Sequence, residues 1–218
     1  MSFRYDILIE YAPFLLKGTL LTIGLSLAGI LLGTVLGLFI GLGKMMRNKL
    51  LTLPFHWYIT FFRGTPLLVQ VYLIHFAVVP FFIDGTNAIV AGIIALSLNA
   101  AAYIAEIFRA GIQSIDKGQM EAARSLGMSH VQAMRYVILP QASKRMIPPL
   151  GNEFIVLIKD SSLASIVVAP ELMYWVRNIQ GQYFRVWEPY LTAAVIYLIL
   201  TLSLSFLLSR LERRLETE

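Results

Sequence analysis

The chain has 218 residues, of which 57% are hydrophobic and 14% charged, and its mean hydropathy is +0.70. These values lie far outside the range of water-soluble domains, so most of the chain is expected to be membrane helix. The formal charge of +5 does not indicate a nucleic-acid partner, because the basic residues stand in short segments beside apolar runs, where they orient membrane proteins. The absence of cysteine excludes disulfides and thiolate metal sites, and three widely spaced histidines predict no other metal site.

Five apolar segments predict five transmembrane helices in one domain that covers residues 1–218. A helix needs roughly 20 apolar residues to cross the hydrocarbon core. The predicted spans are residues 18–43, 51–82, 88–112, 150–168 and 190–208. The first is longer than a signal-peptide core and is followed by basic residues instead of a cleavage site, so it is expected to remain. The second is too long for one straight crossing, and Arg63-Gly64-Thr65-Pro66 is expected to interrupt it.

Glycine recurs every four residues along the first span, at Gly29, Gly33, Gly37 and Gly41. This spacing places all four on one helix face, where another backbone can approach closely. We expect tight packing within the fold, although the partner helix could also belong to a second subunit.

The distribution of lysine and arginine predicts that the N-terminus lies outside and the C-terminus inside. With that orientation the inner side carries twelve basic residues and the outer side four. The outer four are Arg4, Lys17, Arg177 and Arg185. Residues 169–188 then form an outer loop, whose Trp175, Tyr183 and Trp187 are interface anchors or contacts for another protein.

The inner segment between the third and fourth spans is too long for a simple connector and predicts a helical hairpin. Residues 118–126 are expected to form a short helix, with Gly127 as its left-handed cap. Ser129 and Gln132 have the spacing of a capping box, which opens a second helix that we expect to end near Pro140.

The residues of this hairpin resemble a known family motif. The pattern Glu121-Ala122-Ala123, Gly127 and Val137-Ile138-Leu139-Pro140 is similar to the EAA loop of ABC-importer permeases, in which isoleucine is common where this chain has Val137. Further segments resemble the polar amino-acid branch of these permeases: Arg63-Gly64-Thr65-Pro66, Ala102-Tyr103-Ile104-Ala105-Glu106-Ile107-Phe108-Arg109, Gly118-Gln119 and Lys159-Asp160-Ser161-Ser162-Leu163.

The resemblance implies an all-α, type I ABC-importer permease in the bacterial cytoplasmic membrane. Such a subunit is not itself an enzyme: ATP and Mg²⁺ are bound by a separate pair of ATPase subunits, and this chain lacks the phosphate-binding G-x-x-x-x-G-K-[ST] motif. The implied partners are this ATPase dimer, a second permease that is identical or related, and an extracytoplasmic solute-binding protein. Residues 113–141 would couple to the ATPase, through Glu121, Ala122, Ala123, Leu126, Gly127 and Met128.

Two carboxylates in the fourth predicted span are the main candidates for substrate binding. Glu153 and Asp160 are seven residues apart, which places them on one helix face, and charges inside a membrane usually face a wet cavity. They would recognise a cationic amino acid, one binding the α-ammonium and the other a basic side chain. In the alternative, Glu153 pairs with a basic residue such as Arg63, and Asp160 pairs with Lys159 of a second subunit.

Other polar residues in the spans are candidates for substrate contact or for helix packing: Gln70, Asn99, Tyr103, Ser161 and Ser162. Glu106 and Arg109 are three residues apart and predict an ion pair within one helix.

An alternative function is a proton-coupled secondary transporter, in which Glu153 and Asp160 would be the titrating pair. It would transport without an ATPase.

Overall fold

The computed structural model describes residues 3–46 and 48–216, which contain only helices and connecting turns. The all-α class predicted from the sequence is therefore confirmed. In chain order the α-helices are Tyr5–Lys44 (α1), Lys49–Gly64 (α2), Leu67–Leu73 (α3), Ala88–Gln113 (α4), Lys117–Ser125 (α5), His130–Ala133 (α6), Leu139–Asp160 (α7), Leu172–Tyr183 (α8) and Trp187–Glu216 (α9).

The first helix is much longer than the predicted first span. α1 has 40 residues, which corresponds to about 60 Å, and it begins at Tyr5 instead of Gly18. Asp6 and Glu10 make residues 5–17 too polar to be predicted as part of a membrane span. Neither residue prevents helix formation, and an acidic residue in the first turn stabilises a helix.

The glycine face of α1 packs against α4, which confirms the prediction of close packing within the fold. A Cβ atom added to Gly33 would lie 2.9 Å from Cβ of Ala100, and one added to Gly37 would lie 2.8 Å from Cγ2 of Ile104. The contacts advance along both helices in the same direction, so α1 and α4 run parallel. The helix that fills this groove belongs to the same chain.

The second predicted span is broken where expected. α2 meets the helical segment Leu67–Phe81, which begins with α3, at an angle of 109°. Thr65 is extended, with φ −114° and ψ 146°, because the following Pro66 disfavours a helical conformation there. After α3 the chain continues through a π-helical turn, Ile74–Val78, and a 3₁₀ turn, Val79–Phe81.

The local signals of the hairpin are also confirmed. Gly127 has a φ of +85°, the left-handed value expected of a helix cap. The N–H of Met128 donates to the carbonyl of Ala123 at 3.2 Å, as in a Schellman-type helix end. Both hydrogen bonds of the capping box between Ser129 and Gln132 are formed.

The expected end of the second hairpin helix near Pro140 is wrong. After α6 the chain makes a π-helical turn, Met134–Ile138, and continues directly into α7. Pro140 therefore lies in the first turn of α7, where a missing N–H is tolerated. The hairpin is thus continuous with the helix that carries Glu153 and Asp160.

Among the described residues, α1, α4 and α9 are long and apolar enough to cross a membrane. α2 and the segment Leu67–Phe81, which are bent relative to each other, would together form a fourth span. The predicted span 150–168 instead comprises the second half of α7 and the 3₁₀ segment Ser161–Val167. Because α7 carries five charged residues, its composition alone does not mark it as membrane-spanning. The count of five spans and the orientation remain predictions.

The region 169–188, expected as an outer loop, contains α8. This helix runs antiparallel to the first half of α1: the ring of Trp175 covers Gly18, and the hydroxyl of Tyr183 donates to Glu10 at 2.8 Å. Its buried residues have helical spacing, and they are Leu172, Val176 and Ile179.

Candidate functional site

A cavity of about 630 Å³ lies between α4 and α7, with the last turn of α2 beside it. Its charged and polar lining residues are Arg63, Tyr103, Glu106, Ser114, Arg145, Asn152 and Glu153. The volume is in the range of small-molecule sites. Tyr103 and Glu153, two of the residues predicted to contact substrate, meet at this cavity, which makes it the candidate site.

The two candidate carboxylates are half-buried on α7. Their seven-residue separation corresponds to roughly 10 Å along the helix axis. Neither Glu153 nor Asp160 forms an ion pair within 4.0 Å with another described residue. Arg63 lines the same cavity as Glu153 without pairing to it at that distance. Of the two, Glu153 lines the cavity, whereas Asp160, about two helical turns further along α7, is not among the lining residues.

Arg63 lies against an aromatic ring at the edge of the cavity. Its Cζ atom is 5.2 Å from the centroid of Tyr103, which is the geometry of a cation–π contact. A guanidinium carries five N–H donors, and Arg63 forms no ion pair within 4.0 Å with a carboxylate of the described residues.

Gln70 and Asn99, also predicted as substrate contacts, lie at the break between α2 and α3. The Nε2 atom of Gln70 donates to the carbonyls of Phe62 at 2.9 Å and Thr65 at 3.0 Å. Asn99 of α4 donates to Oε1 of Gln70 at 2.9 Å. Both side chains are buried, so their amides bind the carbonyl groups that the broken helix leaves without helical partners.

The serines after Asp160 have different surroundings. Ser161 is completely buried and donates to the carbonyl of Ile158 at 2.8 Å, within its own helix. Ser162 is only partly buried. Of the two, Ser162 is the more accessible to a ligand beside Asp160.

The predicted ion pair between Glu106 and Arg109 is confirmed, at 2.8 Å. Lys44, at the end of α1, binds the other carboxylate oxygen of Glu106. This second pair joins residues that are 62 positions apart, and nothing in the local sequence pointed to it. Glu106 therefore contributes to the cavity wall as a carboxylate that already has two cationic partners.

The predicted coupling residues lie around the tip of the hairpin. Leu126 has 83% of its surface exposed. Glu121, Ala122 and Gly127 are exposed and Met128 is half-buried, whereas Ala123 is buried inside the hairpin. The tip thus presents an apolar residue surrounded by small and acidic ones.

Glu171 was not predicted as a functional residue, although its side chain is completely buried. It accepts hydrogen bonds from the hydroxyls of Thr22 at 3.2 Å and Tyr197 at 3.1 Å, and from the N–H of Tyr174 at 3.0 Å. Glu171 thereby joins α1, α8 and α9. Its position just before an apolar helical repeat was the available signal, but glutamate is not among the strongly preferred N-cap residues.

Comparison with known proteins assigns the chain to a family. The profile of the binding-protein-dependent transport system inner membrane component matches residues 33–217. The chain belongs to this family. The predicted resemblance to ABC-importer permeases and the predicted location in the inner membrane are thereby confirmed.

Individual relatives give the same result. The chain is 43% identical over 195 residues to a probable amino-acid ABC transporter permease protein of Bacillus subtilis, covering 89% of this chain and 86% of that protein. It is 40% identical to the glutamine transport system permease protein of Escherichia coli, over 99% of both chains. These relatives are permease subunits, a class without its own ATPase site, and they do not favour a proton-coupled carrier.

Solved structures confirm the type I importer fold. The crystal structure of an amino acid ABC transporter with histidines superimposes with a TM-score of 0.92 at 45% identity, covering 98% of this chain and all of that one. An inward-facing methionine ABC transporter gives a TM-score of 0.79 at 22% identity and covers 94% and 98% of the two chains. The second similarity concerns the fold alone.

Proposed function

We propose that the chain is the permease subunit of an ABC importer for basic amino acids, with the cavity between α4 and α7 as part of the translocation path. The supporting observation is the pair of half-buried carboxylates on α7, neither of which has a cationic partner within 4.0 Å among the described residues. The histidines bound to the 45% identical transporter are compatible with such a substrate.

In this proposal Glu153 binds the α-ammonium group and Asp160 the basic side chain of the substrate. The separation of roughly 10 Å along α7 suits an extended arginine or lysine better than a short amino acid. Tyr103 and Ser162 would contact the substrate directly, and the buried Ser161 would support the turn beside them. Gln70 and Asn99 would act through the helix break, because their amides already bind the protein.

The energy for transport would come from a separate ATPase pair. The exposed Leu126 at the hairpin tip would dock into one ATPase subunit, and α7 would transmit the movement because the hairpin runs into it without a loop. Two permeases, identical or related, and an extracytoplasmic solute-binding protein complete the proposed complex. In the predicted topology, five spans with the N-terminus outside would place the hairpin on the ATPase side.

Uptake of radiolabelled arginine by the reconstituted complex tests this proposal. Glu153→Gln and Asp160→Asn should each raise the half-saturating arginine concentration roughly 10- to 100-fold, because each removes a charged hydrogen bond. Asp84→Asn, which neutralises an exposed carboxylate in the connection before α4, is the matched control and should have no such effect. Unchanged affinity in both variants would refute the substrate assignment, and uptake without the ATPase would refute the ABC mechanism.

A further inference from the structure

The α-carboxylate of an amino-acid substrate also needs a partner in the cavity. Glu153 and Asp160 account for two positive groups of a basic amino acid, and they repel its carboxylate. A carboxylate that leaves water for a confined site is costly unless a cation or several hydrogen-bond donors receive it. The site is therefore incomplete without a positively charged residue.

Two cationic side chains line the cavity, Arg63 and Arg145. Arg145 is hydrogen-bonded to the protein through one nitrogen, because its Nη1 atom donates to the carbonyl of Ser114 at 2.5 Å and to its hydroxyl at 3.2 Å. Arg63 forms no ion pair within 4.0 Å with a carboxylate of the described residues. Glu106, the acidic residue that shares the cavity with Glu153, is bound to Lys44 and Arg109 instead.

We propose that Arg63 binds the α-carboxylate of the substrate. This inference rests on the proposed transport of amino acids and adds a specificity-determining residue to that site. The planar guanidinium matches a carboxylate through two parallel N–H···O bonds. The contact with Tyr103, at 5.2 Å from Cζ to the ring centroid, holds the guanidinium beside the cavity and is not an ion pair.

The helix break fixes the place of Arg63. Arg63 lies in the last turn of α2, one residue after Phe62, whose carbonyl accepts bonds from both Gln70 and Asn99. Gln70 also binds Thr65, on the other side of the break. Gln70 and Asn99 are thus positioning residues, which hold the 109° bend so that Arg63 reaches the cavity.

A competition experiment tests the assignment on the complex of permease and ATPase in lipid nanodiscs. Bound radiolabelled arginine is displaced with arginine or with argininamide, whose carboxylate is replaced by a neutral amide. The wild type should prefer arginine by roughly 10- to 100-fold. In Arg63→Gln this preference should fall towards unity, because arginine loses affinity while argininamide keeps it. Arg63→Lys should retain part of the preference, since it keeps the charge without the planar fork.

Two outcomes would overturn the assignment. The preference for arginine over its amide could survive in Arg63→Gln, or both ligands could lose affinity equally, as expected if Arg63 only stabilises the fold. If the substrate is not a basic amino acid, the proposed function is refuted but the role of Arg63 is not, because every amino acid carries an α-carboxylate. If the complex binds glutamine better than arginine, the same comparison with glutaminamide still tests Arg63.

Discussion

The side chain of Asn99 on α4 donates to Oε1 of Gln70 on α3 at 2.9 Å. This bond connects the parallel pair of α1 and α4 to the bend in the second span. Through Gln70 it also reaches the carbonyl of Phe62, at the end of α2. Residues that could have been ligand contacts thus form the internal support of the helix that carries Arg63.

Asn99→Ala is expected to destabilise the subunit by about 1–3 kcal/mol, because it leaves the buried oxygen of Gln70 without a donor. Thermal unfolding of the purified complex measures this effect. Asn178→Ala, at an exposed position on α8, is the control and should change stability by less than about 0.5 kcal/mol. Equal melting temperatures for the two variants would show that the bond does not stabilise the bend.

Gly37→Ala is expected to separate α1 from α4, because the new methyl group would lie 2.9 Å from the carbonyl oxygen of Ala101, a backbone atom that cannot rotate away. We expect a cost of about 1–3 kcal/mol. Gly24→Ala places the same change on the same helix in open space and should be neutral or stabilising, by up to about 1 kcal/mol. A comparable loss of thermal stability in both variants would contradict the proposed close approach.

Gly127→Val tests the hairpin cap without introducing a clash, because no atom lies within 4 Å of the added Cβ. The left-handed backbone alone should cost about 1–2 kcal/mol and disorder the hairpin. Gly127→Asn should be milder, since asparagine tolerates this conformation. Copurification of the ATPase should decrease more for valine than for asparagine. If the asparagine variant lost more ATPase than the valine variant, the left-handed backbone at Gly127 would be excluded as the cause of the loss.

Glu171→Ala should be the most damaging of the carboxylate substitutions outside the cavity. It removes the acceptor for two hydroxyls and one N–H at the junction of α1, α8 and α9, at an expected cost of about 2–4 kcal/mol. Glu171→Gln should cost less, because hydroxyl groups can reverse their role and donate or accept. Glu10→Ala removes one exposed hydrogen bond and is the control in thermal unfolding. A similar loss of thermal stability in Glu171→Ala, Glu171→Gln and Glu10→Ala would contradict a special role of Glu171.

Features that depend on neighbouring residues were predictable from the sequence. Gly127 as a cap, the capping box at Ser129 and the break before Pro66 all follow from backbone sterics within a few residues, and the structure confirms them. The continuation of the hairpin through Pro140 was not predicted, because a π-helical turn leaves no clear pattern in composition.

Features that depend on distant contacts were not predictable. Lys44 and Glu106 are 62 residues apart, and Glu171 meets Thr22 from the other end of the chain. For the candidate site, chemistry alone identified Glu153, but Arg63 was considered only as its pairing partner. The cavity shows that the two residues are neighbours without an ion pair, which changes the expected role of Arg63.

Leu126→Asp tests both the coupling surface and the orientation of the chain. Leu126 is 83% exposed, so the substitution should not disturb folding, but a charge at an apolar contact should prevent docking of the ATPase. Phe184→Asp is the matched control: Phe184 is 89% exposed and follows α8, which the predicted orientation places on the opposite side of the membrane.

The measurement is the amount of ATPase that copurifies with each variant, together with the melting temperature of the permease. Loss of the ATPase with Leu126→Asp alone is expected, because only the inner hairpin would meet it. Loss with Phe184→Asp and retention with Leu126→Asp would reverse the proposed orientation, and retention with both would remove the hairpin tip from the coupling interface.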